Sequence, residues 1–439
     1  MIAIDKLTTN EIYHLQNSKM KKLLKHINQR SPFYNSLFKK DGIDISKIKT
    51  INDLKFLPTT TKQNLQLHNM DFLCVPKSSI KEYTSTSGTL GTPVTIALTK
   101  NDLSRLAYNE YLSFICVGAN SSDIFQLALT LDKQFMAGMA YYQGAARLKA
   151  GVVRTGPGAP SMQWETIFRV NSTTMVVVPS FFLKLIEYAI ESGIDFRKSP
   201  MKRAVCIGEN IRTDNFELNT IGKRIKEFWD IDLFSTYAST EMQTAFTECP
   251  YGKGGHLHPE LLIAEVVDDE GNQLPFGVKG ELIVTTLDVE GMPLLRYRTG
   301  DVCTLYNEPC ECGRQTLRIS PIVGRKQQMI KFKGTSIYPS VIFEILNSNK
   351  DILDYVLEVY SNELDTDEIL IWIAVREQSE KLLIHLKSYL HASLKVMPKI
   401  VFADINEIRQ KQQVGIDRKP LRFLDKRKSS VATDQDNHK

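Results

Sequence analysis

An α/β fold with one large and one small domain is what this sequence predicts, and three observations carry that prediction. From about residue 94 to residue 237, short apolar, β-branched runs alternate with segments of helical periodicity. That is the pattern of a parallel sheet covered by helices on both faces. After about residue 261 the texture changes to strands and turns. Near Gly324-Arg325-Lys326 it changes again, to the strand and helix mixture of a small α+β domain.

The elements follow in order. Ile12, Leu15, Met20, Leu23, Leu24 and Ile27 recur at helical spacing, and Ser31-Pro32-Phe33-Tyr34 opens a second, short helix. Leu57-Pro58-Thr59-Thr60-Thr61-Lys62 reads as a strand end and an N-cap before a helix. Val94–Leu98 is strand-like, and Leu103–Val117 is an amphipathic helix. Gln126–Leu131 reads as a buried strand, Gly138–Leu148 as a helix and Gly151–Arg154 as a strand. Thr174–Val178 is a buried strand, with Pro179-Ser180 capping the helix Phe181–Glu191. Arg203–Ile207 is a strand, Asn215–Phe228 a helix and Asp232–Tyr237 a strand. Leu261–Val267 and Gly280–Thr285 flank a turn at Asp268–Asn272 and suggest an antiparallel or barrel-like subdomain. The small domain reads as Ile337–Leu346, Val356–Tyr360, Ile369–Val375 and Leu382–Leu390. The polar tail after Arg427 is expected to be disordered.

Composition narrows the function. With 439 residues, 42% hydrophobic and 24% charged, the chain is of ordinary globular type and long enough for a large core. A net charge of +5 is small for this length, and no basic run is interleaved with aromatics, so nucleic acid is not the expected partner. The mild positive balance favours anionic small molecules. No stretch of 18 apolar residues suggests a membrane span. No signal peptide is visible, and seven scattered cysteines fit a reducing cytoplasm better than a disulfide framework.

The most informative segment is Thr84-Ser85-Thr86-Ser87-Gly88-Thr89-Leu90-Gly91-Thr92-Pro93. Five hydroxyls and two glycines lie within positions 84–91, between an aromatic and a strand. Successive backbone N–H groups in a glycine-rich turn form a concave anion site, and hydroxyls add donors to phosphate oxygens. A flexible linker is the other reading. The segment is not a GxxxxGK[ST] loop, because no Lys follows the second glycine.

Further along, Ser235-Thr236-Tyr237-Ala238-Ser239-Thr240-Glu241 follows a predicted strand, where open α/β sheets bind ligands. There a Tyr can stack on a base, Ser and Thr can hold phosphate, and Glu can hold Mg²⁺; the same Ser-Thr-Glu can also be a helix cap. In Tyr297-Arg298-Thr299-Gly300-Asp301, the carboxylate offers two acceptor oxygens to a ribose, or serves a turn. Gly324-Arg325, Lys333-Gly334 and the basic run Asp417-Arg418-Lys419-Pro420-Leu421-Arg422 complete the series.

Taken in this order, the set resembles the adenylate-forming superfamily of acyl-CoA synthetases. Its closest resemblance is to the phenylacetate–CoA ligase branch, which includes coenzyme F390 synthetase-like proteins. Ser31–Tyr34, Leu57–Lys62, Cys310-Glu311-Cys312-Gly313-Arg314 and Arg422-x-x-Asp425-Lys426-Arg427 carry the branch, and the likeness runs from about residue 15 to 427. The resemblance implies an adenylation domain at 1–324, a mobile C-terminal domain at 325–427 carrying Lys419, and a tail at 428–439. It implies activation of a carboxylic acid by ATP to an acyl-AMP, then thioester formation with coenzyme A. A pantetheinyl carrier protein as acceptor, or nucleotidyl transfer to a cofactor, remains open, as does a non-catalytic nucleotide-binding scaffold. The resemblance assigns the phosphates to Ser85, Thr86, Ser87, Gly88, Thr89 and Gly91. Gly208, Glu209, Asn210, Tyr237, Ala238 and Ser239 line the nucleotide, Thr240 meets the α-phosphate, and Glu241 holds Mg²⁺. Asp301 and Arg325 hold the ribose, and Lys419 bridges carboxylate and phosphate. Two departures stand out: Lys326-Gln327-Gln328 occupies the place of the usual acidic hinge, and Arg418 stands where Gly is common.

Cys310 and Cys312, with Cys249 and His256 upstream, could complete a tetrahedral Zn²⁺ site or be thiols buried in a turn. Some members of the branch carry a structural zinc near this position, with His256 matching better than His258. The family places the acyl pocket near Phe135, Tyr141, Tyr142 and Gly144, although each aromatic also reads as ordinary core. An aryl or medium-size acid follows from the resemblance alone. The expected partners are that acid, ATP and coenzyme A; a homodimer is compatible with the chain.

Overall fold

The computed structural model describes residues 7–86, 93–333, 335–362, 366–413 and 421–427. The chain divides into two compact units, Met1–Ile322 and Val323–Lys439, each taken by itself below.

The first unit is α/β. It begins with helices α1 (Thr9–Arg30), α2 (Pro32–Lys40) and α3 (Lys62–Leu67) and the hairpin β1 (Ile80–Ser85) and β2 (Thr95–Thr99). Then come α4 (Lys100–Cys116), β3 (Ile124–Ala128), α5 (Met136–Arg147), β4 (Gly151–Arg154), α6 (Pro160–Val170), β5 (Thr174–Val177) and α7 (Pro179–Glu191). Next follow β6 (Arg203–Ile207), α8 (Thr220–Phe228), β7 (Asp232–Ser239) and β8 (Thr244–Glu248). The unit closes with β9 (Gly255–His256), β10 (Leu262–Val267), β11 (Lys279–Thr286), β12 (Tyr297–Tyr306) and β13 (Arg318–Ile319).

The strands β4-β3-β5-β6-β7 pair in parallel. Every residue of β5 is buried, as expected of a strand covered on both faces. One face meets Trp164, Phe182, Phe196 and Trp229; the other meets Phe114, Tyr141 and Ala145. At β7 the pairing turns antiparallel and runs on through β8, β9, β13, β12, β11 and β10. The antiparallel part is thus continuous with the parallel sheet.

Two of the short motifs prove to be braces. Ser31 caps α2, Pro32 opens it, and the Tyr34 hydroxyl accepts from the Leu295 amide at 2.9 Å. Thr60 donates its amide to Arg296 and its hydroxyl to Leu295, and its carbonyl accepts from the Arg298 amide. Together they fix the start of β12, the strand that carries Asp301.

Several boundaries differ from the sequence reading. α8 starts at Thr220, because the Asn219 side chain caps it, accepting from Gly222 N at 3.0 Å. Residues 213–219 before it turn back instead, with Thr213 N bonded to Glu217 O and Asn219 N to Ile211 O. Pro179 and Ser180 belong to the first turn of α7, and Val178 is its N-cap. β3 ends at Ala128. Leu57 follows a 3₁₀ turn, Ile51–Phe56, and no strand ends there. β7 runs through Ser239, and Thr240–Gln243 form a turn into β8, so Ser-Thr-Glu caps no helix.

α4 and α5 pack closely at Gly144. A Cβ there would stand 2.3 Å from the Glu110 Cβ and 3.0 Å from the Glu110 carbonyl carbon. Gly144→Ala is therefore expected to destabilise the unit by about 1–3 kcal/mol, overpacking outweighing the roughly 0.5–1 kcal/mol that Ala gains within a helix. A fall in the urea midpoint checks this; a rise would mean that the helices part freely.

The second unit opens with β14 (Gly324–Arg325), the hairpin β15 (Ile330–Phe332) and β16 (Thr335–Ile337), and α9 (Pro339–Asn347). It continues with β17 (Ile352–Ser361), β18 (Asp367–Val375), α10 (Glu380–Leu394), β19 (Lys399–Phe402), α11 (Ile405–Lys411) and β20 (Phe423–Asp425). The sheet order is β19-β18-β17-β20, with only the central pair antiparallel. α9 and α10 cover one face through Ile342, Leu346, Leu386 and Leu390, while Ile408 of α11 covers the other.

Candidate active site

The first unit presents a small, open cleft lined by Asn210, Ser235, Tyr237, Phe246, Gly254 and Ile322, among others. Its residues come from the segment after β6, from β7 and β8, from the start of β9 and the loop before it, and from β13 and the segment after it. Gly208 has φ of +74°, which turns the chain sharply at the end of β6. Asn210 then donates to the Ile322 carbonyl at 2.7 Å. Glu209 plays a structural part. Both its oxygens accept from Ser180, one from the amide and one from the hydroxyl, each at 2.9 Å. That carboxylate caps the N-terminus of α7, where negative charge is favoured.

Tyr237 and Asp301 meet across the sheet. The Tyr237 hydroxyl donates to Asp301 Oδ2 at 2.6 Å. Desolvation and the nearby Asp301 charge push the phenol far above its ordinary value, so it stays a donor. Glu241 is buried in the turn after β7, and the Tyr297 hydroxyl stands 3.5 Å from its Oε1. Ser239 accepts from the Met242 amide at 3.3 Å, which tightens that turn. Ala238 is exposed on β7 and Thr240 half-buried beyond it.

Ser85 and Thr86 close the β1–β2 hairpin. Ser85 N donates to Gln134 O, and the Thr86 amide and hydroxyl bond Val94 O and Val94 N. Ser87, Gly88, Thr89 and Gly91 lie outside the described residues, as do Gly334, Arg418, Lys419 and the tail 428–439. Arg325 is exposed in β14 of the second unit.

The residues expected around the acid divide. Tyr141 is buried among Phe114, Phe125 and Ala145, and Gly144 is taken up by helix packing. Phe135 is partly buried at the N-cap of α5. Tyr142 is exposed, with the Arg154 guanidinium 5.5 Å from its ring centre. Sequence reasoning missed three nearby residues. Arg105 is buried and donates to the carbonyls of Leu287, Gln243 and Leu261. Glu110 and Gln243 are also buried, and both keep polar atoms without partners. An isolated Arg, Glu or Gln on a helix or in a turn gives no signal in a single sequence.

Burial pushes the Glu110 carboxyl up to about 8. An acid whose folded-state pKa is raised loses stability as pH climbs from its unfolded value toward the folded one, because the unfolded chain releases the proton first. Stability should therefore fall between about pH 5 and pH 8, in company with Glu248, Glu260 and Glu265, which burial also raises. Thermal midpoints across that range check the slope, and Glu110→Gln should reduce it.

Cys249, His256, Cys310 and Cys312 come together, with ligand atoms all within 4.8 Å of one another. Cys249 Sγ lies 3.7 Å from Cys310 Sγ, and Cys312 Sγ lies 3.5 Å from His256 Nε2. A tetrahedral zinc with bonds of about 2.3 Å to sulfur and about 2.0 Å to nitrogen needs edges of roughly these lengths. Thr316 holds His256 Nδ1 at 3.0 Å, so Nε2 faces the thiols. Burial, then the Arg314 and Arg318 charges, lower His256 to about 3, so its imidazole is neutral, the ligating form. Burial raises the Cys312 thiol, but hydrogen bonds from the Arg314 backbone and side chain outweigh it and leave Cys312 below its ordinary value. His258 points elsewhere, with its Nε2 3.4 Å from Ser113 Oγ on α4.

Known proteins resemble this chain in sequence and in fold. The profile of the AMP-binding enzyme family matches residues 15–289. The phenylacetate–coenzyme A ligase of Thermus thermophilus is 29% identical over 379 residues, covering 85% of this chain and 84% of the relative. That of Escherichia coli is 27% identical, covering 86% and 85%. The structure of 2-hydroxyisobutyryl-CoA ligase in the postadenylation state, in complex with 2-HIB-AMP, superposes with a TM-score of 0.83 at 21% identity, covering 96% of this chain and 91% of that one. The chain belongs to the AMP-binding enzyme family. Within it, the chain falls in the adenylate-forming branch that resembles the phenylacetate–CoA ligases, and it is an AMP-forming acid–thiol ligase. Among the described residues, no helix is long and apolar enough to cross a membrane.

Proposed function

We propose that this chain joins an aryl or medium-size carboxylic acid to coenzyme A through an acyl-adenylate. The acid's carboxylate attacks the α-phosphorus of ATP and releases pyrophosphate; the thiol then attacks the acyl carbon and releases AMP. The observation that carries this reading is the hydrogen bond from Tyr237, which lines the cleft and lies within the family match, to Asp301. In it, Asp301 takes the ribose hydroxyls, assisted by Arg325, while Gly208, Asn210, Tyr237, Ala238 and Ser239 border the base and phosphate. Glu209, engaged at α7, shapes that border rather than touching the nucleotide. Ser85, Thr86, Ser87, Gly88, Thr89 and Gly91 hold the outer phosphates. Thr240 meets the α-phosphate, and Lys419 stabilises the charge that develops between the two anions. Glu241, acidic and buried next to Thr240, is suited to hold Mg²⁺, which would supply positive charge to the phosphates.

The second unit serves as the mobile domain carrying Lys419. The cysteine and histidine cluster is read as a closed structural Zn²⁺ site, because its edges suit that ion and it leaves no open position. Reduced thiols throughout fit a cytoplasmic setting.

ATP–pyrophosphate exchange over a panel of carboxylic acids tests the first half-reaction. Thioester formation with coenzyme A, against a pantetheinyl carrier protein, identifies the acceptor. Exchange with at least one acid and a coenzyme A thioester are expected. A chain that binds AMP yet supports no exchange with any acid would be a scaffold instead.

A further inference from the structure

Turn 240–243 carries a feature that the two-step reaction does not need. Gln243, two residues beyond Glu241, is 1% exposed and takes φ of +51°, a left-handed conformation that strains a residue other than glycine. Arg105 holds it there: one guanidinium nitrogen donates to the Gln243 carbonyl at 2.6 Å and another to the Thr244 hydroxyl at 3.1 Å. Yet neither the oxygen nor the nitrogen of the Gln243 amide has a hydrogen-bond partner. Further along α4, Glu110 is also buried. Its Oε1 accepts from Asn109 Nδ2 at 3.0 Å, and its Oε2 has no partner. Asn109 ties this stretch to the same segment, accepting from the Ala245 amide at 3.1 Å.

A buried polar atom without a partner forfeits its bonds to water and gains none in return, and three such atoms border one helix and one turn. The side chains beside them in the same elements and in α5 are hydrocarbon: Leu106, Met136, Ala140 and Met242 belong to one buried apolar cluster. The Cβ of Glu110 also lies against Gly144 of α5, a residue that the family resemblance sets near the acid. A wholly hydrocarbon substrate would leave all three atoms unpaired.

We propose that the acid carries an uncharged hydrogen-bonding substituent, a hydroxyl or a carbonyl, and that Gln243 and Glu110 recognise it and set specificity against hydrocarbon acids of the same shape. This rests on the acid-activating function proposed above. Charge agrees with it: burial keeps Glu110 largely protonated near pH 7, so it can donate without repelling the substrate's own carboxylate.

Pyrophosphate exchange with matched pairs is the test: lactate against isobutyrate, and para-hydroxyphenylacetate against para-methylphenylacetate. Each pair exchanges a hydroxyl for a methyl group. In the better-fitting pair the wild type should favour the hydroxyl acid by at least about 1,000-fold in kcat/KM, toward the roughly 10⁴-fold by which a site built to bond a hydroxyl rejects analogues that lack one. Gln243→Met and Glu110→Leu should each bring that ratio down to within a few-fold of one, and Glu110→Gln, which keeps a donor and an acceptor, should restore most of it. AMP binding by calorimetry reports whether each variant is folded; if one is not, the wild-type ratio decides alone. A methyl acid used as well as its hydroxyl partner, or a ratio that folded Gln243→Met leaves unmoved, overturns the proposal and leaves acid activation standing. Absence of exchange with every acid removes the parent reading and this one together.

Discussion

If the proposed zinc site is filled, Cys310→Ser is expected to empty it and to lower the thermal midpoint of the protein by roughly 10 °C. Three thiols and one imidazole converge there, Cys249 and Cys310 are buried, and the spacings suit a single tetrahedral ion. The ion would tie β9, at His256, to the turn that carries Cys310 and Cys312. Structural zinc contributes folding free energy directly, and losing it would cost at least a few kcal/mol. For a unit of this size each kcal/mol shifts the midpoint by about 2–4 °C. Elemental analysis should find about one zinc per wild-type chain and almost none in Cys310→Ser. A wild-type protein free of metal, with all four groups reacting as free thiols and imidazole, would show that the cluster is a packed set of cysteines.

Lys419→Ala should reduce adenylation by about 100- to 1,000-fold, the range expected when one group aimed at a developing charge is removed. Thioester formation from preformed acyl-AMP should change by less than a few-fold, because that step no longer joins two anions. The two half-reactions must be measured separately, by pyrophosphate exchange and by release of AMP. Equal losses in both would mean that Lys419 supports the fold of the second unit and does not act on the phosphate.

Much of the fold was legible because its signals are local. β4 and β6 coincide with the apolar runs that predict them, and α4, α5 and α7 appear where helical spacing places them. Two of the misread boundaries were set by a side-chain cap and by a strand pairing. Asn219 captured the start of α8, and the pairing of β7 with β8 drew Ser239 into a strand that local sequence ends at Tyr237. Ser31–Tyr34 and Leu57–Lys62 were visible as motifs, but what they do was not. Only tertiary contact shows that Tyr34 and Thr60 brace β12.

The site divides in the same way. Tyr237, Glu241 and Asp301 stand in short patterns of fixed order, so the resemblance those patterns carry picked them out as candidates. Glu209 matched a pattern too, yet its carboxylate is spent on the Ser180 cap. The sequence by itself determined the class of fold and the family, because both are written in contiguous residues. Only the tertiary structure decided that His256 and not His258 joins the three thiols, that Tyr141 is core, and that Glu110 and Gln243 are left with unpaired polar atoms. Those outcomes depend on which distant segments exclude water around a side chain, and pairwise distance is not encoded in linear order.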